Sequence, residues 1–197
     1  RILLPFFAFG GALALTKAMV RGTGVGVALL GLLWGTGATL PSSQLWFLPT
    51  LFCTLVLSVL LARRWGKGGL VPAMTISGLC VLGYFALELP PPPLNALRTS
   101  TAGPVGWFWN IDLVPLASFY CLCGFWFSRA ARLNALPPWS ALVAMLGVGL
   151  CFSLGARADM NLRLSQPYPL ALVAGLCGSF AVLKIGQALA SLGGWGK

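Results

Sequence analysis

Three carboxylates stand in this chain of 197 residues, Glu88, Asp112 and Asp159, and there is no histidine. A Ser-His-Asp arrangement is therefore impossible within it. Cys121-x-Cys123 has the wrong spacing for a zinc knuckle and no histidine to complete it, so no metal or bound cofactor is assigned. The glycines of Gly22-x-Gly24-x-Gly26 lack the Lys-Ser/Thr ending and the preceding strand of a phosphate-cradling loop. What remains is a scatter of charged and amide groups at the ends of apolar runs. Arg98, Asp112, Asp159, Asn161 and Arg163 are the candidates, with Trp109 beside them and Gln44 and Trp46 ahead of a long apolar run. Each has a simpler account. Glu88 and Asp112 need only touch interfacial water, and Asp159 has an arginine on either side, enough for a surface ion pair.

The elements that position these groups are membrane helices. Hydrophobic residues make up 58% of the chain and charged ones only 8%, against about a quarter charged in a soluble domain. The net charge of +10 would suggest nucleic acid in a soluble protein, but the basic residues are scattered at helix ends. Orientation in an anionic bilayer accounts for them better than nucleic acid does. The six cysteines all lie in apolar tracts and read as small buried hydrophobes. The first residues, starting at Arg1, already read as a helix beginning rather than a signal peptide, so earlier helices are expected upstream.

A bilayer core of roughly 30 Å takes about 20 apolar residues per helix. Seven segments result: 2–20, 25–40, 44–62, 70–89, 111–127, 139–156 and 170–192. The fold class is all-α, a polytopic transmembrane bundle of one membrane domain over 1–197, with six spans if 24–40 is re-entrant. That segment is solidly apolar only from Val25 to Trp34, before Gly35-Thr36-Gly37 dilutes it. If it crosses, Lys17, Arg21, Arg63, Arg64, Lys67, Arg129, Arg132 and Lys197 share one face, against Arg1, Arg98, Arg157 and Arg163 on the other. The richer face is cytoplasmic, and the C-terminus with it. Lys184, in the last segment, is within snorkelling reach of that face. Thr50, Thr54 and Ser58, and likewise Ala171, Gly175 and Ser179, recur every four residues and so share a helix face, a spacing that serves close packing.

One stretch joins two such segments, Ser42 to Phe52. A Pro at position 49 removes a backbone donor and loosens the turn before it, and Trp46 suits a membrane–water boundary. The stretch reads either as an aromatic anchor with a tolerated proline or as the entrance of a working site.

Three motifs in order carry a resemblance. Leu45-Trp46-Phe47-Leu48-Pro49-Thr50-Leu51-Phe52 resembles the Leu-Trp-Phe-Leu-Pro-x-Leu-Phe signature of the acyltransferase 3 membrane family, closest to its fucose 4-O-acetylase-like branch. Trp109-x-x-Asp112 followed by Gly124 is similar to that family's Trp-x-x-Asp and later glycine. Asp159-Met160-Asn161-x-Arg163, then Tyr168-Pro169, then Gly175 to Gly178, resembles its Asp-x-Asn link into a terminal helix, although no Asn precedes Pro169. Ile2-Leu3-Leu4-Pro5 and Trp34-Gly35-Thr36-Gly37 fall in the expected places.

The resemblance implies a polytopic enzyme of a bacterial inner membrane. It moves an acetyl or other acyl group, often from acetyl-CoA, onto sugar hydroxyls of surface polysaccharides. Donor and carbohydrate acceptor are then substrates, and membrane lipid is the surrounding partner. It also implies a key histidine on an earlier helix, upstream of residue 1, acting as general base on an acceptor hydroxyl. Gln44, Trp46, Arg98, Trp109, Asp112, Asp159, Asn161 and Arg163 would then shape the site and its acceptor side. Two other classes fit the composition: a small-solute transporter, although no internal repeat is evident, and a structural membrane subunit.

Overall fold

The computed structural model describes residues 2–22, 24–40, 42–65, 70–90, 92–93, 105–129, 135–160 and 163–192. Arg98 and Asn161 lie outside them. Among the described residues seven apolar helices follow one another: α1 (Leu3–Arg21), α2 (Val25–Trp34), α3 (Phe47–Arg63), α4 (Leu70–Leu87), α5 (Val114–Arg129), α6 (Ser140–Ser153) and α7 (Tyr168–Leu192). Four apolar helical stretches among them are long enough to cross a bilayer: Leu3–Arg21, Gln44–Arg63, Phe108–Phe127 and Tyr168–Ser191. The protein is an all-α membrane bundle.

Proline sets where most of these helices begin. Pro5, Pro49 and Pro72 are the third residues of α1, α3 and α4, and Pro115 and Pro169 the second of α5 and α7. The first turn has no intrahelical acceptor for its N–H groups, so a residue without one costs nothing there. This resolves Pro49. A short 3-10 turn, Ser43–Trp46, leads into α3, and Pro49 is buried in the first helical turn. It loosens nothing.

Contacts divide the chain into two compact units, Arg1–Phe119 with Asn161–Arg163, and Tyr120–Met160 with Leu164–Lys197. In the first unit α1 packs on α2, where Ala14, Ala18 and Ala28 form a buried small-residue seam. Small side chains let membrane helices approach closely. A second cluster, Phe6, Leu32 and Leu40, is covered by Leu45, Trp46 and Leu48.

Segment 25–40 does not continue as one helix. α2 has 10 residues and rises only about 15 Å, half a bilayer core. Gly35 ends it in the left-handed region, φ 70°, which a residue with a Cβ reaches only at a cost. The chain then folds back. Thr39 Oγ1 donates to the Gly31 carbonyl at 2.9 Å and the Leu40 amide to Thr36 at 3.0 Å. Thr36 and Thr39 are fully buried, their hydroxyls 3.1 Å apart. The helix length fits the re-entrant form of this segment better than a crossing.

In the second unit α6 and α7 pack along their lengths. Cys151, Ala156 and Ala174 form its buried cluster, with Leu170 against it. The polar stretch between α6 and α7 holds an antiparallel pair, β1 (Arg157–Asp159) and β2 (Leu164–Gln166), with Asp159 opposite Leu164. Of the stripe on α7, Gly175 has the least room: a Cβ there would stand 2.5 Å from Tyr120 Oη and 2.7 Å from its ring. Gly175→Ala is expected to lower stability by about 1–3 kcal/mol. Thermal unfolding in detergent reads this, and an unchanged midpoint would mean that the Tyr120 ring swings aside freely.

Candidate functional site

The most constrained part of the first unit is the approach to α5, residues 106–113. Trp109 and Asn110 both have φ 51°. Asparagine visits this region readily, but for a bulky residue it is an outlier that costs on the order of 1–3 kcal/mol. Its surroundings hold it there. The Trp109 indole N–H donates to the Leu33 carbonyl at 2.8 Å, satisfying an acceptor that the end of α2 leaves open. The ring stacks on Phe108, with centroids 5.2 Å apart, and takes the Phe52 edge at 6.2 Å. Thr50 Oγ1 lies 3.3 Å from the Trp109 carbonyl and 3.0 Å from that of Trp46.

These contacts explain Trp34-Gly35. A Cβ on Gly35 would stand 2.8 Å from Trp109 Cδ1. Trp34 Nε1 donates to the Gly106 carbonyl at 2.8 Å, and its ring meets the Phe108 edge. The end of α2 and the start of α5 are thus locked by two indole N–H groups, each donated to a backbone carbonyl of the other segment.

The lock presents a charged cluster. Arg163, itself at φ 57°, donates from Nε to Asp112 Oδ2 at 2.7 Å and from a terminal nitrogen to Asn110 Oδ1 at 2.7 Å. The same nitrogen reaches Asp112 Oδ1 at 3.5 Å. Asn110 Nδ2 donates to Thr50 Oγ1 at 3.3 Å. The Asp112 side chain is 3% exposed and that of Arg163 12%, so this is a buried pair rather than interfacial decoration. With both carboxylate oxygens turned to the guanidinium, Asp112 is poorly placed to take a proton from a substrate hydroxyl. The cluster is built to orient.

Of the candidate residues, Trp109, Asp112 and Arg163 lie together in the first unit. Trp46 is half-buried in the Phe6, Leu32 and Leu40 cluster and supplies only its carbonyl, which favours the anchor reading of that side chain. Gln44 is exposed, its side-chain oxygen accepting from Ser42 Oγ at 2.6 Å. Asp159 belongs to the second unit and is exposed on β1. Lys184 differs from expectation. It is 4% exposed and donates to the Leu136 carbonyl at 3.0 Å instead of reaching water; that carbonyl precedes Pro137-Pro138, which bring no N–H of their own.

Sequence reasoning missed Asn110 and Gly106. Asn110 carried a usable signal, since asparagine is the residue that tolerates a left-handed turn while its amide bonds locally. Gly106 is unmarked in sequence, yet a Cβ on it would overlap the Arg163 guanidinium and come within 2.7 Å of Asn110 Oδ1.

Fold and site together define an all-α membrane protein with a buried Asp–Arg–Asn cluster beside a tryptophan-locked turn. Comparison with protein-family models, with curated proteins and with solved structures gives no match to this chain.

Proposed function

We propose that the chain is part of a membrane-bound O-acyltransferase that transfers an acetyl or other acyl group to carbohydrate hydroxyls of a surface glycan. One observation supports this reading above others. Three stretches that carry the resemblance, Leu45–Phe52, Trp109-x-x-Asp112 and the link ending in Arg163, meet through Thr50, Asn110, Asp112 and Arg163.

On this reading the cluster holds the acceptor side in shape. The general base is a histidine outside residues 1–197, and acetyl-CoA or another acyl donor is a substrate, not a resident cofactor. The membrane is a bacterial inner membrane with the end of α7 on the cytoplasmic side; with 25–40 re-entrant, Lys17 and Arg21 fall opposite Arg63 and Arg64, and the charge bias toward that side weakens.

The test is transfer itself. Membranes holding the whole protein are given labelled acetyl-CoA and O-deacetylated glycan. Label should appear on glycan hydroxyls, and Asp159→Ala should lower transfer more than it lowers the amount of protein in the membrane. Equal loss of both would make Asp159 structural. Solute uptake by liposomes with no label transfer would replace the enzyme by a transporter.

A further inference from the structure

One face of α3 carries an apolar groove and, beyond its end, two charges. Phe52, Val56, Leu57 and Leu60 form one wall of a cavity of about 350 Å³, and Ile111 and Val114 at the start of α5 form the other. All of these belong to the first unit. Val56 is 44% exposed, Leu60 55% and Ile111 59%, so the groove opens sideways onto the surface that a membrane span turns to lipid. Its far end is Phe52, whose ring meets Trp109 edge-on.

The charges follow the same face. Residues 52, 56 and 60 are spaced by four, and Arg63 and Arg64 follow Leu60 by three and four, so both leave the helix on the groove side. Arg63 closes the last turn of α3 and Arg64 is its C-cap. Both are exposed. Among the described residues neither guanidinium has an acidic partner.

Length and volume select the occupant. From Phe52 to Leu60 α3 rises about 12 Å, and from Phe52 to Arg63 about 16 Å. One leaflet supplies about 15 Å of hydrocarbon, half of a roughly 30 Å core. The groove therefore runs from near the midplane to the level at which two arginines meet headgroups, and Trp65, next in the chain, suits that boundary. A helix about 10 Å across and 12 Å long displaces roughly 900 Å³, so it could only lie across the mouth. A single acyl chain fits inside. Paired guanidinium groups bind phosphate oxygens through charge-assisted, often bidentate hydrogen bonds.

We propose that the groove and Arg63–Arg64 form a site for one anionic phospholipid, its phosphate on the two guanidinium groups and one acyl chain laid along α3 from Leu60 to Phe52. The site is independent of any acyl transfer.

Photo-crosslinking of the whole protein in phosphatidylcholine bilayers tests it. The probe is a trace of phosphatidylglycerol carrying a diazirine at the end of one acyl chain. Its adducts, mapped by peptide mass spectrometry, should concentrate on residues 52–57 and 111–115. A phosphatidylcholine probe with the same chain should label them about tenfold less. Arg63→Gln with Arg64→Gln should abolish that preference without loss of protein, because both side chains are exposed. Leu57→Trp fills the groove and should remove the adducts with both arginines still present. Equal labelling by the two probes overturns the proposal, as does label spread evenly over exposed apolar faces such as Leu142 and Leu146 of α6. Adducts on those faces but none in the groove also overturn it, and give the groove to a protein segment. If a variant fails to insert, the two probes on the wild-type protein decide alone.

Discussion

Arg163→Ala is expected to destabilise the protein by about 3–5 kcal/mol, the range for removing one partner of a buried ion pair. Asp112 is the reason. Its side chain is 3% exposed, so once the guanidinium is gone the charge has neither its partner nor access to bulk water. Asn110 Oδ1 loses a 2.7 Å bond at the same time. Alanine isolates this effect, because the left-handed backbone at 163 is as unfavourable for Ala as for Arg. The pair itself need not be stabilising. Arg163→Met with Asp112→Leu removes both charges and should recover most of the loss, as replacement of a buried pair by apolar side chains generally does. Unfolding of wild type, Arg163→Met, Asp112→Leu and the double variant in lipid or detergent gives the coupling directly. A single-variant loss below about 1 kcal/mol, the level of an exposed pair, would contradict the buried geometry.

Gly106→Ala has the second largest expected effect, about 3 kcal/mol, at the upper end for overpacking, although it removes nothing. The added methyl falls where the Arg163 guanidinium lies and 2.7 Å from Asn110 Oδ1. A flexible arginine would ordinarily swing away. Here it is pinned by Asp112 and Asn110, so either the pair opens or residue 106 moves and breaks the Trp34 bond to its carbonyl. The two variants should therefore be strongly non-additive. In an Arg163→Ala background the methyl has lost its main obstacle, and Gly106→Ala should cost much less than it does alone. Equal costs in both backgrounds would mean that the glycine serves only its own backbone.

Much of this architecture was legible beforehand. Apolar run lengths placed the seven helices of the described residues, because a helix in lipid must satisfy its backbone internally and sequence length sets how far it reaches. Boundaries moved by a few residues, chiefly where a proline allowed a helix to start later or earlier. The 16-residue segment 25–40 was harder. Composition showed dilution after Trp34, but only the Thr39–Gly31 bond and the fully buried Leu40 reveal a chain that folds back. The strand pair at 157–166 carried no alternating pattern in its three-residue arms and was read as a link.

For the site, the types of Trp109, Asp112 and Arg163 were enough to nominate them. Their partners were not. Asn110 looked like any loop amide, and Gly106 like any loop glycine, because an ion pair separated by fifty-one residues leaves no local trace at either end. Lys184 failed in the same way: its distance from the helix end suggested water, whereas its partner is a carbonyl of another segment.

By itself, then, the sequence determined the solvent this protein lives in, the approximate places of its described helices and the few polar side chains available for chemistry, all consequences of hydrophobicity and backbone reach along one dimension. The tertiary structure alone decided which of those side chains meet. Burying a charge is tolerable only against a partner of matching geometry, and it is the two tryptophan N–H bonds between the end of α2 and the start of α5 that hold the turn from which Asp112 and Asn110 meet Arg163.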